Sequence, residues 1–306
     1  HEQDARKVAD HLGITCHAVD VSERFSERVL SPFIRDYMNG RTPNPCIKCN
    51  PEVKFHILLD EAHRIGASHM ATGHYARTAI LQKTKRRAVR RGADSGKDQS
   101  YYLARLTQEQ IGALVCPAGD LTFDTIRAKG ASLVLPVSDK PSSQEICFIE
   151  GDYRDFLAQD PRVSEEMNPG EIVDEEGRVL GRHRGLAWYT VGQRSGLGIA
   201  HEHPLYVLRM DPARNRLIVG AKKATQRAWL TARDIAWGAI TCIEGEIRVN
   251  AQIRYRHRPA PATASLMDSG ACLKVVFDTP QEAITPGQTV VLYQDELVLA
   301  AGTIET

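Results

Sequence analysis

Gly40-Arg41-Thr42-Pro43-Asn44-Pro45-Cys46-Ile47-Lys48-Cys49-Asn50 sits at the centre of an alternating series of helical and strand-like segments. It reads as a loop stiffened by Pro43 and Pro45. Before it, Ser22 is placed to cap an apolar-periodic helix through Phe25, Val29, Phe33 and Tyr37, which Asn39-Gly40 ends. Further upstream, Ile14-Thr15-Cys16-His17-Ala18-Val19 has the alternation that predicts a strand, and the chain starts inside a predicted helix that Gly13 stops after Leu12. After the loop, a second amphipathic helix is predicted from about Val53 to Gly66. The short apolar strand His69-Met70-Ala71-Thr72 then leads into Gly73-His74-Tyr75. Alternation of this kind makes a parallel α/β sheet the economical architecture.

The texture changes from about Met167. Residues 169–180 look like a hairpin, and Gly185, Gly192, Gly196 and Gly198 punctuate the stretch after it. Beyond about Thr225, short alternating stretches such as 248–255 and 273–277 predict a small β-barrel or sandwich. The expected division is therefore an α/β domain over 1–150, a small central domain over 151–224 and a β domain over 225–306.

Composition is compatible with this plan. The chain has 306 residues, 42% hydrophobic and 25% charged, enough for a sizeable core in two or three domains. Seven cysteines, at 16, 46, 49, 116, 147, 242 and 272, are an odd number in a chain too long to need disulfide staples, and no leader pattern opens it, so a cytoplasmic location is expected. No run approaches the roughly 18 apolar residues of a membrane-spanning helix. The net charge of +1 leaves nucleic-acid binding open, because a basic face can sit on a neutral whole. Two local clusters do point to RNA: the run Lys83, Lys85, Arg86, Arg87, Arg90 and Arg91, and Arg254-Tyr255-Arg256-His257-Arg258 with its aromatic.

Cys-x-x-Cys places two sulfurs within reach of one metal, one cluster or each other, and Cys147, in Gln144-Glu145-Ile146-Cys147-Phe148-Ile149, supplies a third. The remaining cysteines lie in apolar or strand-like surroundings, where a buried free thiol is the default. Gly92-Ala93-Asp94-Ser95-Gly96-Lys97-Asp98 fails as a phosphate loop, having one residue too few between its glycines and Asp98 where Ser or Thr should meet magnesium.

Six motifs in one order carry a resemblance: the 40–50 stretch, Ala71-Thr72-Gly73-His74-Tyr75, Lys97-Asp98-Gln99-Ser100-Tyr101-Tyr102, Glu145-Ile146-Cys147-Phe148-Ile149, Gly192-Gln193-Arg194-Ser195-Gly196-Leu197-Gly198 and Thr285-Pro286-Gly287-Gln288. Together they resemble the bacterial tRNA-specific 2-thiouridylase (MnmA/TrmU) family. The resemblance implies an ATP-pyrophosphatase-type (adenine nucleotide alpha-hydrolase-like) α/β domain, a small central domain and a C-terminal β-barrel. It also implies ATP and Mg2+, a tRNA with a wobble uridine, and a sulfur-donor protein, either a cysteine desulfurase or a relay. The family's Ser-Gly-Gly-x-Asp-Ser phosphate loop is not in this sequence, so the chain is expected to be an N-terminally incomplete piece of a longer protein.

By the same resemblance, Cys49 is the nucleophile and Cys147 the persulfide carrier, and Gly73 lies near the nucleotide. Asn44, Pro45 and Cys46 hold the target base, while His74, Lys97, Asp98, Gln99, Arg254, Tyr255 and Gln288 meet the tRNA. Many members have aspartate at the position of Cys46. Members with cysteine there resemble a second scheme, in which Cys46, Cys49 and Cys147 hold a 4Fe–4S iron–sulfur cluster whose fourth iron binds the transferred sulfide. Three thiolates with one open position suit such a cluster better than structural zinc, and the cluster is the favoured expectation. Two other functions compete with tRNA thiolation: a non-catalytic tRNA-binding iron–sulfur protein without the ATP loop, and a thioredoxin-like oxidoreductase. The latter is disfavoured because its motif opens a helix directly after a strand.

Overall fold

The computed structural model describes residues 2–138 and 146–305. Gln144 and Glu145, which open one of the quoted motifs, therefore lie outside the described residues.

The N-terminal part is mostly helical. Helix Glu2–Leu12 comes first, and the strand expected at 14–19 is absent: that segment is irregular and largely exposed, with no neighbouring strand to pair with it among the described residues. Helices Ser22–Phe25 and Ser31–Met38 run on through a π turn at Ser26–Leu30. The parallel sheet reduces to Met70–Ala71 beside Leu114–Val115 among the described residues.

The cysteine stretch also departs from expectation. Pro45–Cys49 is a helical turn, not a loop, with Pro45 at its first position, where a missing N–H costs nothing. It continues through a π turn, Asn50–Lys54, into helix Phe55–Arg64. Pro51 explains the π turn, because it cannot donate to the carbonyl four residues back. The ladder widens there, and the Phe55 N–H bonds to Asn50 O, five residues away.

A four-stranded sheet forms the centre, with Val179–His183, Gly170–Val173, Arg216–Gly220 and Tyr206–Asp211 side by side in that order. The C-terminal strands Gln226–Trp237, Glu246–Gln252, Ala260–Met267, Cys272–Glu282, Thr289–Gln294 and Leu297–Ile304 close into a six-stranded barrel, because Thr289–Gln294 pairs with both Glu246–Gln252 and Leu297–Ile304. Closure removes the exposed edges an open sheet would present. The alternation read in the sequence is what fills this barrel, with Leu230, Ala251, Ala262, Leu273, Val275, Val290 and Leu292 all buried inside.

The hairpin Ala76–Ile80/Arg87–Arg91 leaves the N-terminal part and extends the barrel sheet through Leu297, which pairs with Arg90. This changes the meaning of the basic run. Arg86 donates to Trp237 O and Gly238 O, both at 3.0 Å, Arg90 pairs with Glu296, and Arg91 pairs with Asp98 at 2.8 Å while lying 3.8 Å over the Tyr293 ring. These cations fasten the hairpin to the barrel, so the part of the run formed by Arg86, Arg90 and Arg91 is committed to the fold. Arg86→Glu is expected to cost about 2–3 kcal/mol, since a charged donor to two carbonyls is replaced by a repelled carboxylate. Lys83→Glu, on an exposed side chain, should change stability little. Urea unfolding of the two variants side by side checks this.

Candidate functional site

Phe148 brings the distant cysteine home. Its ring joins the apolar cluster of Val29, Cys49 and Val53 and meets Phe25, Phe33 and Phe156 edge-on at centroid distances of 5.4, 5.5 and 5.3 Å. Ile149, one residue on, is buried with Phe33, Ile34 and Tyr37. Cys147 is thereby held at the mouth of a cleft of about 800 Å³ that Cys46 also lines, with Cys49 buried beneath. The three sulfurs lie within electrostatic reach of one another: burial raises the Cys46 thiol, burial pushes Cys49 up to about 11, and in both cases charge on Cys147 would add to the rise. Lys54 opposes the rise at Cys49, through its ammonium and through its backbone N–H.

Cys46, Asn50 and Lys54 follow one another at four-residue intervals and all line the cleft, forming one stripe along the cysteine helix. The helix is anchored from behind by Ile47, Phe55 and Leu59, which are buried against Tyr101, Leu103 and Val298. Its entry is clamped by the barrel. Thr42 N–H donates to Pro286 O, Gln288 Nε2 donates to Thr42 O at 2.7 Å, and Arg41 pairs with Glu305. Gly287 has φ +89°, and a side chain there would meet Thr42 and Arg41 at about 3 Å, so the Thr285–Gln288 turn requires glycine at this point.

Opposite the stripe, the Tyr255 and Tyr102 rings pack at a tilt of 35° with centroids 4.4 Å apart, and Lys97 Nζ lies 4.0 Å over the Phe123 ring. Arg91, Arg256 and Arg258 add cationic lining. His74 lines the same wall, its Nδ1 3.0 Å from Thr72 Oγ1, and burial together with the Lys54 charge lowers its pKa to about 4. A lowered folded-state pKa means that the unfolded chain binds more protons between pH 4 and 6.5, so stability is lost as pH falls through that window. Going from pH 7 to pH 5 should cost about 2 kcal/mol through this residue, and His74→Asn should flatten the dependence when urea midpoints are compared at the two values.

Several residues expected to meet the tRNA have their polar groups committed internally. Asp98 accepts from Arg91, the Gly92 and Ser100 N–H groups and the Ser100 hydroxyl, and its side chain is 8% exposed. Gln99 Oε1 accepts from Tyr75 N–H, though the residue still lines the cleft. Arg254 donates to Glu282 O, and neither it nor Gln288, Asn44, Pro45 or Gly73 lines the cleft. Gly73 is exposed just beyond strand Met70–Ala71. Sequence reasoning missed Phe148, Asn50, Lys54, Tyr102 and Phe123. Only the four-residue spacing from Cys46 could have pointed to Asn50 and Lys54, had that stretch been read as a helix.

Among the described residues, no three His, Cys, Asp or Glu side chains are grouped closely enough to hold a metal ion.

Three family models match consecutive parts of the chain: the tRNA methyl transferase HUP domain over 1–151, the tRNA methyl transferase PRC-barrel domain over 154–221 and the aminomethyltransferase beta-barrel domain over 227–304. The tRNA-specific 2-thiouridylase MnmA of Moorella thermoacetica is 47% identical over 307 residues, covering 99% of this chain and 84% of that protein. The chain belongs to the MnmA family. MnmA of Heliobacterium modesticaldum is 44% identical over 99% of this chain and 78% of its own length, and that of Solibacter usitatus is 43% identical over 99% and 83%. The MnmA architecture of HUP domain, central PRC-barrel domain and C-terminal barrel accounts for the helical, four-stranded and closed-barrel parts described above. No described helix is long and apolar enough to cross a membrane.

Proposed function

We propose that this chain is a tRNA-uridine 2-sulfurtransferase that replaces the C2 oxygen of a wobble uridine with sulfur. The observation that carries the reading is that Cys46 and Cys147 line one cleft walled by cations and aromatic rings, with the buried Cys49 within electrostatic reach of both. Its volume of about 800 Å³ lies in the range of small-molecule sites and accommodates an unstacked base. Arg256, Arg258 and Lys97 offer charge to a phosphate backbone, and Tyr255 and Phe123 offer faces on which bases stack.

Activation of the uridine draws on ATP, for which the HUP-type domain supplies the architecture, with Mg2+ as its companion and Gly73 near the nucleotide. With the C2 oxygen adenylated, the terminal sulfur of a Cys147 persulfide attacks C2, a C–S bond forms, and the oxygen leaves within AMP. Cys49 then loses its proton to solvent and attacks the Cys147 sulfur. The S–S bond to the transferred atom breaks, its electron pair goes to the uridine sulfur, and a Cys49–Cys147 disulfide remains. A cysteine desulfurase or relay protein reloads the exposed Cys147, and a reductant is needed between turnovers. In the alternative scheme Cys46, Cys49 and Cys147 would hold a 4Fe–4S cluster, which would supply an open iron for the sulfide to be transferred.

Cys46 separates the two sulfur schemes. Cys46→Asp is expected to retain thiolation in the full-length protein, with activity independent of iron content in anaerobic preparations. Activity that tracks iron, and falls with it in the variant, would replace the persulfide route by the cluster route.

A further inference from the structure

Asn50 is 2% exposed, and its Oδ1 is a buried acceptor without a protein partner among the described residues. The side-chain amide is oriented by the other end, where Nδ2 donates to Tyr102 O at 3.0 Å. Tyr102 is itself held by its tilted ring contact with Tyr255. Asn50 lies one ordinary helical turn beyond Cys46, its backbone N–H bonded to Cys46 O, and both line the cleft. A fixed, desolvated carbonyl oxygen in such a place has high demand for a donor, because leaving it unpaired costs about 1–3 kcal/mol.

Resting on the thiolation reading above, we propose that Asn50 Oδ1 accepts the N3–H of the target uracil and sets the preference for uridine over cytidine. The chemistry of the base selects N3. It is the only donor on the pairing edge of uracil, and it is bonded to C2, the carbon that must receive sulfur. Asn50 lines the same cleft as Cys147, whose persulfide must reach C2, so the N3–H next to C2 is the donor of the bound base that can meet Asn50 Oδ1. Cytosine presents a lone pair at N3 instead, so an acceptor aimed there repels it. A site built to bond a group rejects the analogue lacking it more strongly than it favours the correct one.

The test uses anticodon stem-loops carrying uridine, cytidine or 3-deazauridine at the wobble position, with binding followed by fluorescence anisotropy. Wild-type protein should bind the uridine loop roughly 10- to 100-fold tighter than the cytidine loop, with 3-deazauridine, which lacks the N3 donor, falling near cytidine. Asn50→Ala should bring the uridine-to-cytidine ratio to within about threefold of one. A ratio unchanged in Asn50→Ala overturns the inference. If that variant fails to fold, the wild-type series decides alone, and 3-deazauridine binding as tightly as uridine overturns it. Failure of wild-type protein to bind any loop overturns the tRNA reading and this inference together, whereas tight binding without base preference overturns this inference only.

Discussion

Cys147→Ser is expected to abolish thiolation of tRNA, with loss of roughly three orders of magnitude or more, while tRNA binding is retained. Serine cannot carry a persulfide, so no sulfur reaches the cleft, and the exposed position of Cys147 means that little packing is disturbed. Cys49→Ser should be as severe in multiple turnover but different in kind, because Cys147 can still be loaded and attack C2. The product should then stay attached to Cys147 through a disulfide that no neighbouring thiol resolves. Mass spectrometry of the protein after quenching would detect that adduct in Cys49→Ser and not in Cys147→Ser. Thiolation by Cys147→Ser near the wild-type rate would remove Cys147 from the reaction.

Asp98→Ala is expected to be the most destabilising single change at the site, by about 3–5 kcal/mol, through loss of a buried ion pair and the groups that depend on it. Its carboxylate joins Arg91 on the hairpin, Gly92 and Ser100, and Ser100 Oγ lies 3.1 Å from Tyr293 Oη in the barrel. Removing it leaves Arg91 without its carboxylate partner between two parts of the molecule. Urea unfolding measures the cost. A loss below about 1 kcal/mol would show that Asp98 is held for the RNA and not for the fold.

The sequence carried the barrel well because period-two alternation is local and every strand repeats it, as Leu230, Ala262 and Val275 show by pointing inward. It carried the N-terminal part less well. Pro45 and Pro51 look like loop residues, yet one starts a helix and the other turns it into a π turn, and the difference depends on neighbours such as Tyr102 that pack on the result. Residues 14–19 alternate like a strand but find no partner among the described residues, and alternation alone does not make a sheet. The run 83–91 shows charge without showing what it faces. Only the pairing of Arg90 with Leu297, far apart in the chain, turns those arginines inward to Trp237, Gly238 and Glu296. The cysteines were visible as residues, but their convergence depends on Phe148, whose ring nothing in its own segment directs toward Phe25 and Phe33.

The central claim is that sulfur passes from Cys147 to uridine with Cys49 as the resolving thiol, and a single-turnover experiment tests it most directly. Full-length protein loaded with labelled sulfur at Cys147 is mixed with ATP and tRNA in the absence of reductant, quenched, and digested without reduction. Labelled 2-thiouridine and a Cys49–Cys147 disulfide are expected to appear together in equal amounts. Labelled product with Cys49 and Cys147 both still as free thiols would contradict the claim.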